Sequence, residues 1–223
     1  MSKKNIIYLK IILISIFLSA YLYEIYYINS YFGLKKFISL KDDKNILNYK
    51  NIIPPSNFLN KEINMKTKIY PLSGIPNSLT LHCNENGYFS KYISDKYGFN
   101  NDNNIWNDKK KESIYLLGDS FVHGACVNPE NTFARVLSKK SSNKLNFYNL
   151  GYSGNGPLIN FAVLKEFFLL KKPSKIFWFH TEVNDLIDLS KEINNPMLKK
   201  YLDDQDYNQN YIENYEYLTI HLS

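Results

Sequence analysis

Cysteine is nearly absent from these 223 residues: there are two, Cys83 and Cys126, beside four histidines, and no Cys-x-x-Cys or His-x-x-x-His spacing occurs. That scarcity excludes a disulfide-stapled miniprotein and argues against a structural metal site. Glycine and proline are sparse too, at 9 and 8 residues, which excludes a collagen; a 44% hydrophobic, 16% aromatic chain is no disordered tail. Acidic residues are outnumbered 21 to 27 for a net charge of +6, but residues 1–36 hold +4 of it and the other 187 only +2. The one tight basic cluster, Lys109-Lys110-Lys111, sits in polar loop sequence and reads as a solvated loop. A nucleic-acid surface would gather Lys and Arg on a face with aromatics between them, so no nucleic-acid partner is expected. No internal repeat is visible.

What the chain does have is one long apolar run. From Ile6 to Ile28, 23 residues contain only Lys10 and Glu24 as charges, and a helix needs about 20 residues to cross ~30 Å of hydrocarbon. Lys10 lies close enough to one end to snorkel, Glu24 lies near the other, and Tyr21, Tyr23, Tyr26 and Tyr27 suit an interfacial belt. Lys3 and Lys4 precede the run, which by the positive-inside rule places the N-terminus in the cytoplasm and the rest beyond the membrane. A cleavable signal peptide is the rival, since Ser19-Ala20 offers small residues, but the apolar run continues past them without an A-x-A site. The expectation is a transmembrane signal anchor over residues 1–30. In an exported chain the two cysteines form a candidate disulfide closing about 44 residues, worth about 4 kcal/mol by chain entropy; two free buried thiols are the alternative.

Residues 31–68 are Lys- and Asn-rich, broken by Pro54-Pro55, and read as a juxtamembrane linker. Residues 69–112 carry closely spaced turn signals, Gly74-Ile75-Pro76-Asn77, Asn84-Glu85-Asn86-Gly87 and Tyr97-Gly98-Phe99-Asn100-Asn101, with short β-rich pieces such as 78–82 between them. A small β-rich cap is expected there.

Residues 113–223 alternate strand and helix patterns. Ile114 to Leu117 is an apolar run ended by Gly118, and Thr132 to Lys139 has a helical period. Leu145 to Leu150 reads as a second strand, and Pro157 opens a helix from Leu158 to Lys171. Ile176 to Phe179 reads as a third, buried strand, followed by a helix over 186–193. This order predicts an α/β fold of three layers, α/β/α, on a parallel sheet with right-handed crossovers. Such sheets bind ligands at the carboxyl ends of their strands, here at residues 118–124, 151–156 and 180–185.

The first of these loops, Gly118-Asp119-Ser120-Phe121-Val122-His123-Gly124, puts a serine hydroxyl on a tight turn where a carbonyl could reach it. The second, Asn149 to Gly156, has glycines that free backbone N–H groups. The third, Glu182-Val183-Asn184-Asp185, supplies an amide that can donate to a developing oxyanion. Gly, Asp, Ser and Asn are also the ordinary residues of loops, so each signal alone is weak. Gly151-x-x-Gly154-x-Gly156 lacks the G-x-G-x-x-G spacing and the ribose-binding acid of a dinucleotide site. The three loops together, in this order, carry the inference.

These blocks, Gly118-Asp119-Ser120, Asn149 to Gly154, and Asn184-Asp185, resemble those of the SGNH, or GDSL-type, hydrolase superfamily over roughly residues 92–190. The run from Asp95 to Asn101, with Asn149-Leu150-Gly151 and Gly154-Asn155-Gly156-Pro157-Leu158, further resembles membrane-anchored bacterial members linked to surface polysaccharides. The resemblance implies an SGNH/flavodoxin-like fold with Ser120 as nucleophile, and an oxyanion hole from the N–H groups of Ser120 and Gly154 and the side chain of Asn184. It implies no metal or organic cofactor. Glu182 stands where the third block usually has Gly, and the Asp-x-x-His block that supplies the family's base is missing. His123 and His180 are not expected to replace it, no Asp stands three residues before His221, and His82 precedes the domain. A three-stranded sheet would leave an open edge, so the domain is expected to be incomplete at its C-terminus.

The implied function is a serine esterase acting on an O-acylated carbohydrate through an acyl-Ser120 intermediate, single-pass in the inner membrane with its domain on the periplasmic side. Transfer of the acyl group to a polysaccharide hydroxyl is the alternative. A catalytically inactive carbohydrate-binding scaffold and a flavodoxin-like nucleotide binder remain open.

Overall fold

The apolar run folds as α1 (Lys3–Phe32), a 30-residue helix in a computed structural model that describes residues 3–32, 69–81, 90–109, 111–182 and 184–214. The chain divides into two units, residues 1–50 and 51–223. In the first, the stretch Lys4–Tyr26 is long and apolar enough to cross a membrane, and none of it is buried within the protein. The Ser19 hydroxyl donates to the Ser15 carbonyl at 2.8 Å, which satisfies it inside the helix.

The second unit begins with two short strands, β1 (Leu79–Leu81) and β2 (Lys91–Ile93), paired antiparallel. A 3₁₀ turn over Asn103–Asn107 leads into β3 (Glu112–Leu117). The chain continues through α2 (Ser120–His123), α3 (Phe133–Lys140), β4 (Leu145–Asn149), α4 (Pro157–Lys171), β5 (Lys175–Trp178), α5 (Asp185–Glu192) and α6 (Pro196–Asp203). Strands β4, β3 and β5 form a parallel sheet in that order.

Strand β3 lies in the middle, and the period-two alternation of its side chains builds two cores. Ile114 and Leu116 meet Val122, Phe147 and Ala134 of α3; Tyr115 and Leu117 share the larger cluster with Tyr148 and with Leu158, Ile159, Ala162, Val163 and Phe167 of α4. Ile69, Tyr70, Leu72, Phe99 and Trp106 belong to that larger cluster, so the segment expected as a cap contributes directly to the sheet's core. Helices α5 and α6 pack on α4. Buried Glu166 of α4 accepts from the N–H groups of Gln209 and Tyr211 at 2.8 and 2.9 Å and from the Tyr201 hydroxyl, fastening the last described segment.

Pro157 occupies the first turn of α4, where its missing N–H costs nothing. The helix starts on a carboxylate: Glu192 of α5 accepts from Gly156 N–H at 2.6 Å and Leu158 N–H at 2.8 Å. Burial pushes Glu192 up to about 7, against the pull of these backbone donors.

One expectation is corrected. Strand β5 is not buried: Ile176, Phe177 and Trp178 are 38–47% exposed. It is an edge strand, paired through β3 on one side only, and its apolar run has no covering layer among the described residues. The other strands and helices expected between residues 113 and 193 occur close to their expected bounds, whereas the linker expected over 31–68, past Phe32 at the end of α1, and the turn expected at Asn84 to Gly87 lie outside the described residues. Helix α6 was not anticipated, although Asn195 caps it through Met197 N–H at 2.9 Å and Pro196 opens it.

Candidate functional site

The strand order brings the ends of β3, β4 and β5 side by side, and their following loops pack on one another through residues too small to hold them apart. Gly118 ends β3; a Cβ there would stand 2.5 Å from Val122 Cγ2 and 3.3 Å from Phe179 Cβ. Gly151, after β4, would place a Cβ 2.6 Å from Val122 Cβ. Backbone bonds complete the join: Tyr152 N–H donates to Gly118 O at 3.2 Å and Phe179 N–H to Leu117 O at 2.9 Å.

Asp119 then turns the chain into α2. Its Oδ1 accepts from Phe121 N–H at 3.0 Å, capping the helix. Its Oδ2 accepts from Asn184 Nδ2 at 3.1 Å, tying the third loop to the first. Ser120 follows as the first residue of α2, half-buried, on the rim of a cleft of about 290 Å³. Phe121, Gly124, Cys126, Val127 and Phe133 line the same cleft, and Phe133 stacks on Phe179 with ring centroids 5.5 Å apart.

The three site residues expected from sequence are distributed unevenly. Ser120 lines the cleft; Gly154 and Asn184 do not. Asn184 reaches the first loop through Asp119, and one of its two amide hydrogens stays available for a second acceptor. Gly154 sits in the second loop with φ +85°, a left-handed conformation that glycine adopts without strain. Glu182 is exposed.

His123 is a structural tie. Its Nδ1 accepts from Ser153 N–H at 3.0 Å, so a neutral ring carries its hydrogen on Nε2, which faces the Tyr92 hydroxyl at 2.5 Å. The ring stacks on Tyr152 at 4.6 Å, and its backbone oxygen accepts from the side chains of Asn100 and Asn149. His180 differs. Its side chain is 49% exposed and its Nδ1 lies 2.8 Å from Oδ2 of Asp185, which is 1% exposed. His82 and His221 lie outside the described residues, as does Cys83, the sequence's other cysteine; Cys126 is disulfide-bonded.

Beneath the site, the run from Asp95 to Asn101 closes around a buried carboxylate. Asp95 Oδ1 accepts from the N–H groups of Tyr97 and Phe99, and Oδ2 from Asn101 Nδ2 and Trp106 Nε1, all at 2.8–2.9 Å. Burial pushes this carboxyl up and the four donors pull it back, with burial the larger. Asn101 also exchanges two bonds with the backbone of Asn149 at the end of β4. The motif is thus a support for the loop junction. Among the described residues no group of three or more His, Cys, Asp or Glu side chains could hold a metal ion. Two features escaped sequence reasoning, the Glu192 cap and the His180–Asp185 pair. Only the second had a local signal, two ionisable residues flanking a strand-end turn.

No family model, curated protein or solved structure matches the chain.

Proposed function

We propose that the chain is a membrane-anchored serine hydrolase of SGNH type that cleaves acyl esters through an acyl-Ser120 intermediate. The observation that carries this reading is the junction at the sheet edge. A serine on a tight turn after the central strand is joined, through the adjacent Asp119 and its 3.1 Å bond, to the asparagine of the third loop. The cleft at Ser120 gives a carbonyl access to the hydroxyl, and Asn184's second amide hydrogen is a donor for the oxyanion. Gly154 N–H is the third donor in this scheme. The sheet, with α3 on one face and α4 on the other, is taken as the central part of a three-layer SGNH fold.

The substrate class is an O-acylated carbohydrate, with water or a second sugar hydroxyl as acceptor; both proceed from the same acyl-enzyme. Lys3 and Lys4, at the start of α1 and before its apolar run, orient the second unit to the extracytoplasmic side of the inner membrane in this reading. The disulfide at Cys126 fits an oxidising compartment. The test is p-nitrophenyl acetate turnover and acetyl release from an O-acetylated polysaccharide by the detergent-solubilised full chain and its Ser120→Ala variant. Activity lost with Ser120 supports the assignment; activity unchanged in the variant overturns it.

A further inference from the structure

Resting on the Ser120 chemistry above, we propose that His180 and Asp185 form the proton-handling pair of this site. His180 accepts the serine proton and Asp185 positions and balances the ring. Neither residue was expected in this role from the sequence.

Placement is the first argument. Leu117 of β3 pairs with Trp178 of β5, and Phe179 N–H donates to Leu117 O at 2.9 Å. His180 therefore leaves the sheet level with Asp119, one residue before Ser120, across an inter-strand gap of about 4.8 Å. The loops stay together beyond the sheet, because Asn184 bonds Asp119 at 3.1 Å. Phe179, next to His180, stacks on Phe133 of the Ser120 cleft.

The ring's orientation is the second. With Asp185 Oδ2 2.8 Å from Nδ1, the neutral ring places its hydrogen on Nδ1, and Nε2 is the acceptor. No described residue bonds Nε2, and the half-exposed side chain leaves it open to a proton.

The carboxylate is the third. Asp185 is 1% exposed, and its Oδ2 is fixed by Thr181 N–H at 2.8 Å as well as by His180. Its Oδ1 is buried with no partner among the described residues. A buried carboxylate with spare acceptor capacity is costly in isolation and gains from a positive charge on its neighbour. It holds the ring before reaction and stabilises the imidazolium during it.

The chemistry balances without a further reactant. Ser120 Oγ bonds the acyl carbonyl carbon as its proton passes to His180 Nε2. The ester C–O bond then breaks, and the leaving oxygen takes that proton. In the second half, water attacks the acyl carbon, its proton goes to Nε2, and Ser120 Oγ recovers a proton as it leaves.

The experiment uses the full chain in detergent micelles with a fluorophosphonate probe, which forms an Oγ–P bond as fluoride leaves. His180→Gln is expected to slow labelling of Ser120 by a factor of about 10² to 10⁴. Its unfolding midpoint should stay close to the wild-type value, since the glutamine amide N–H can still donate to Asp185 Oδ2. An independent readout is ¹⁵N NMR of the wild-type histidine rings: His180 should carry its proton on Nδ1, and Asp185→Asn should shift that balance. If Ser120 is labelled in the wild type and equally fast in His180→Gln, the pair has no role while the serine chemistry stands. If His180 carries its proton on Nε2 in the wild type, the pair is overturned without any variant. If the wild type is not labelled at Ser120, the serine chemistry and the pair fall together.

Discussion

Gly118 stands directly before Asp119-Ser120, and the space beside it decides how the chain can turn there. An alanine Cβ at this position would lie 2.5 Å from Val122 Cγ2, which something must yield, and 3.3 Å from Phe179 Cβ and O, which a shift of a few tenths of an ångström relieves. The first contact dominates. Gly118→Ala is therefore expected to cost about 1–3 kcal/mol by overpacking. Val122 is fully buried, and Val122→Ala, which deletes two methyl groups, is expected to cost about 2 kcal/mol. The double variant removes the clashing Cγ2 and puts the new methyl into the space it leaves. It should be more stable than the two costs taken together imply, by about 1 kcal/mol or more. Urea unfolding of the detergent-solubilised chain, followed by tryptophan fluorescence, measures this cycle: both tryptophans, 106 and 178, lie outside α1, and Trp106 is buried. A coupling below about 0.5 kcal/mol would mean the sites act independently, and the account of why glycine ends β3 would be wrong.

Further outcomes follow from the buried carboxylates and the open edge. Burial holds the Glu192 carboxyl up at about 7 in the folded chain, above its ordinary value of 4.5, so between those values the folded state holds more protons than the unfolded one. Stability should fall as pH rises through that window, by up to about 3 kcal/mol, and Glu192→Gln should flatten the dependence when unfolding midpoints are compared at pH 5 and 7.5. Asp95→Ala leaves four donors unpaired in the interior and should cost more than about 3 kcal/mol in the same assay; a loss under 1 kcal/mol would show that the loop junction does not depend on them. Ile176→Lys places a charge on the exposed edge strand and should reduce concentration-dependent light scattering with stability changed by less than about 0.5 kcal/mol.

Much of this architecture is legible before any coordinates. Ile114–Leu117 and Leu145–Asn149 are short apolar runs bounded by turn residues, and Pro157 marks the start of α4, so element types and order follow from local pattern. Burial of β5 does not follow, because Ile176-Phe177-Trp178 has the same apolar run whether or not a neighbour covers it. The serine, the glycine-rich loop and Asn184 are each recognisable by type, yet the Asn184–Asp119 bond joins residues 65 apart. The Asp95 clamp works through Asn101 on Asn149, 48 residues away, and Glu192 caps a helix 34 residues earlier. Such pairings depend on which turns bring which side chains together, and hydrophobic periodicity carries no record of them. His180 and Asp185 are only five residues apart, but their contact depends on the turn between β5 and α5.

Reaction of the full chain with a fluorophosphonate, followed by mass mapping of its peptides, tests the proposed nucleophile most directly. The account predicts one adduct, on Ser120, absent from Ser120→Ala. An unlabelled chain, or an adduct elsewhere that persists in Ser120→Ala, would contradict it.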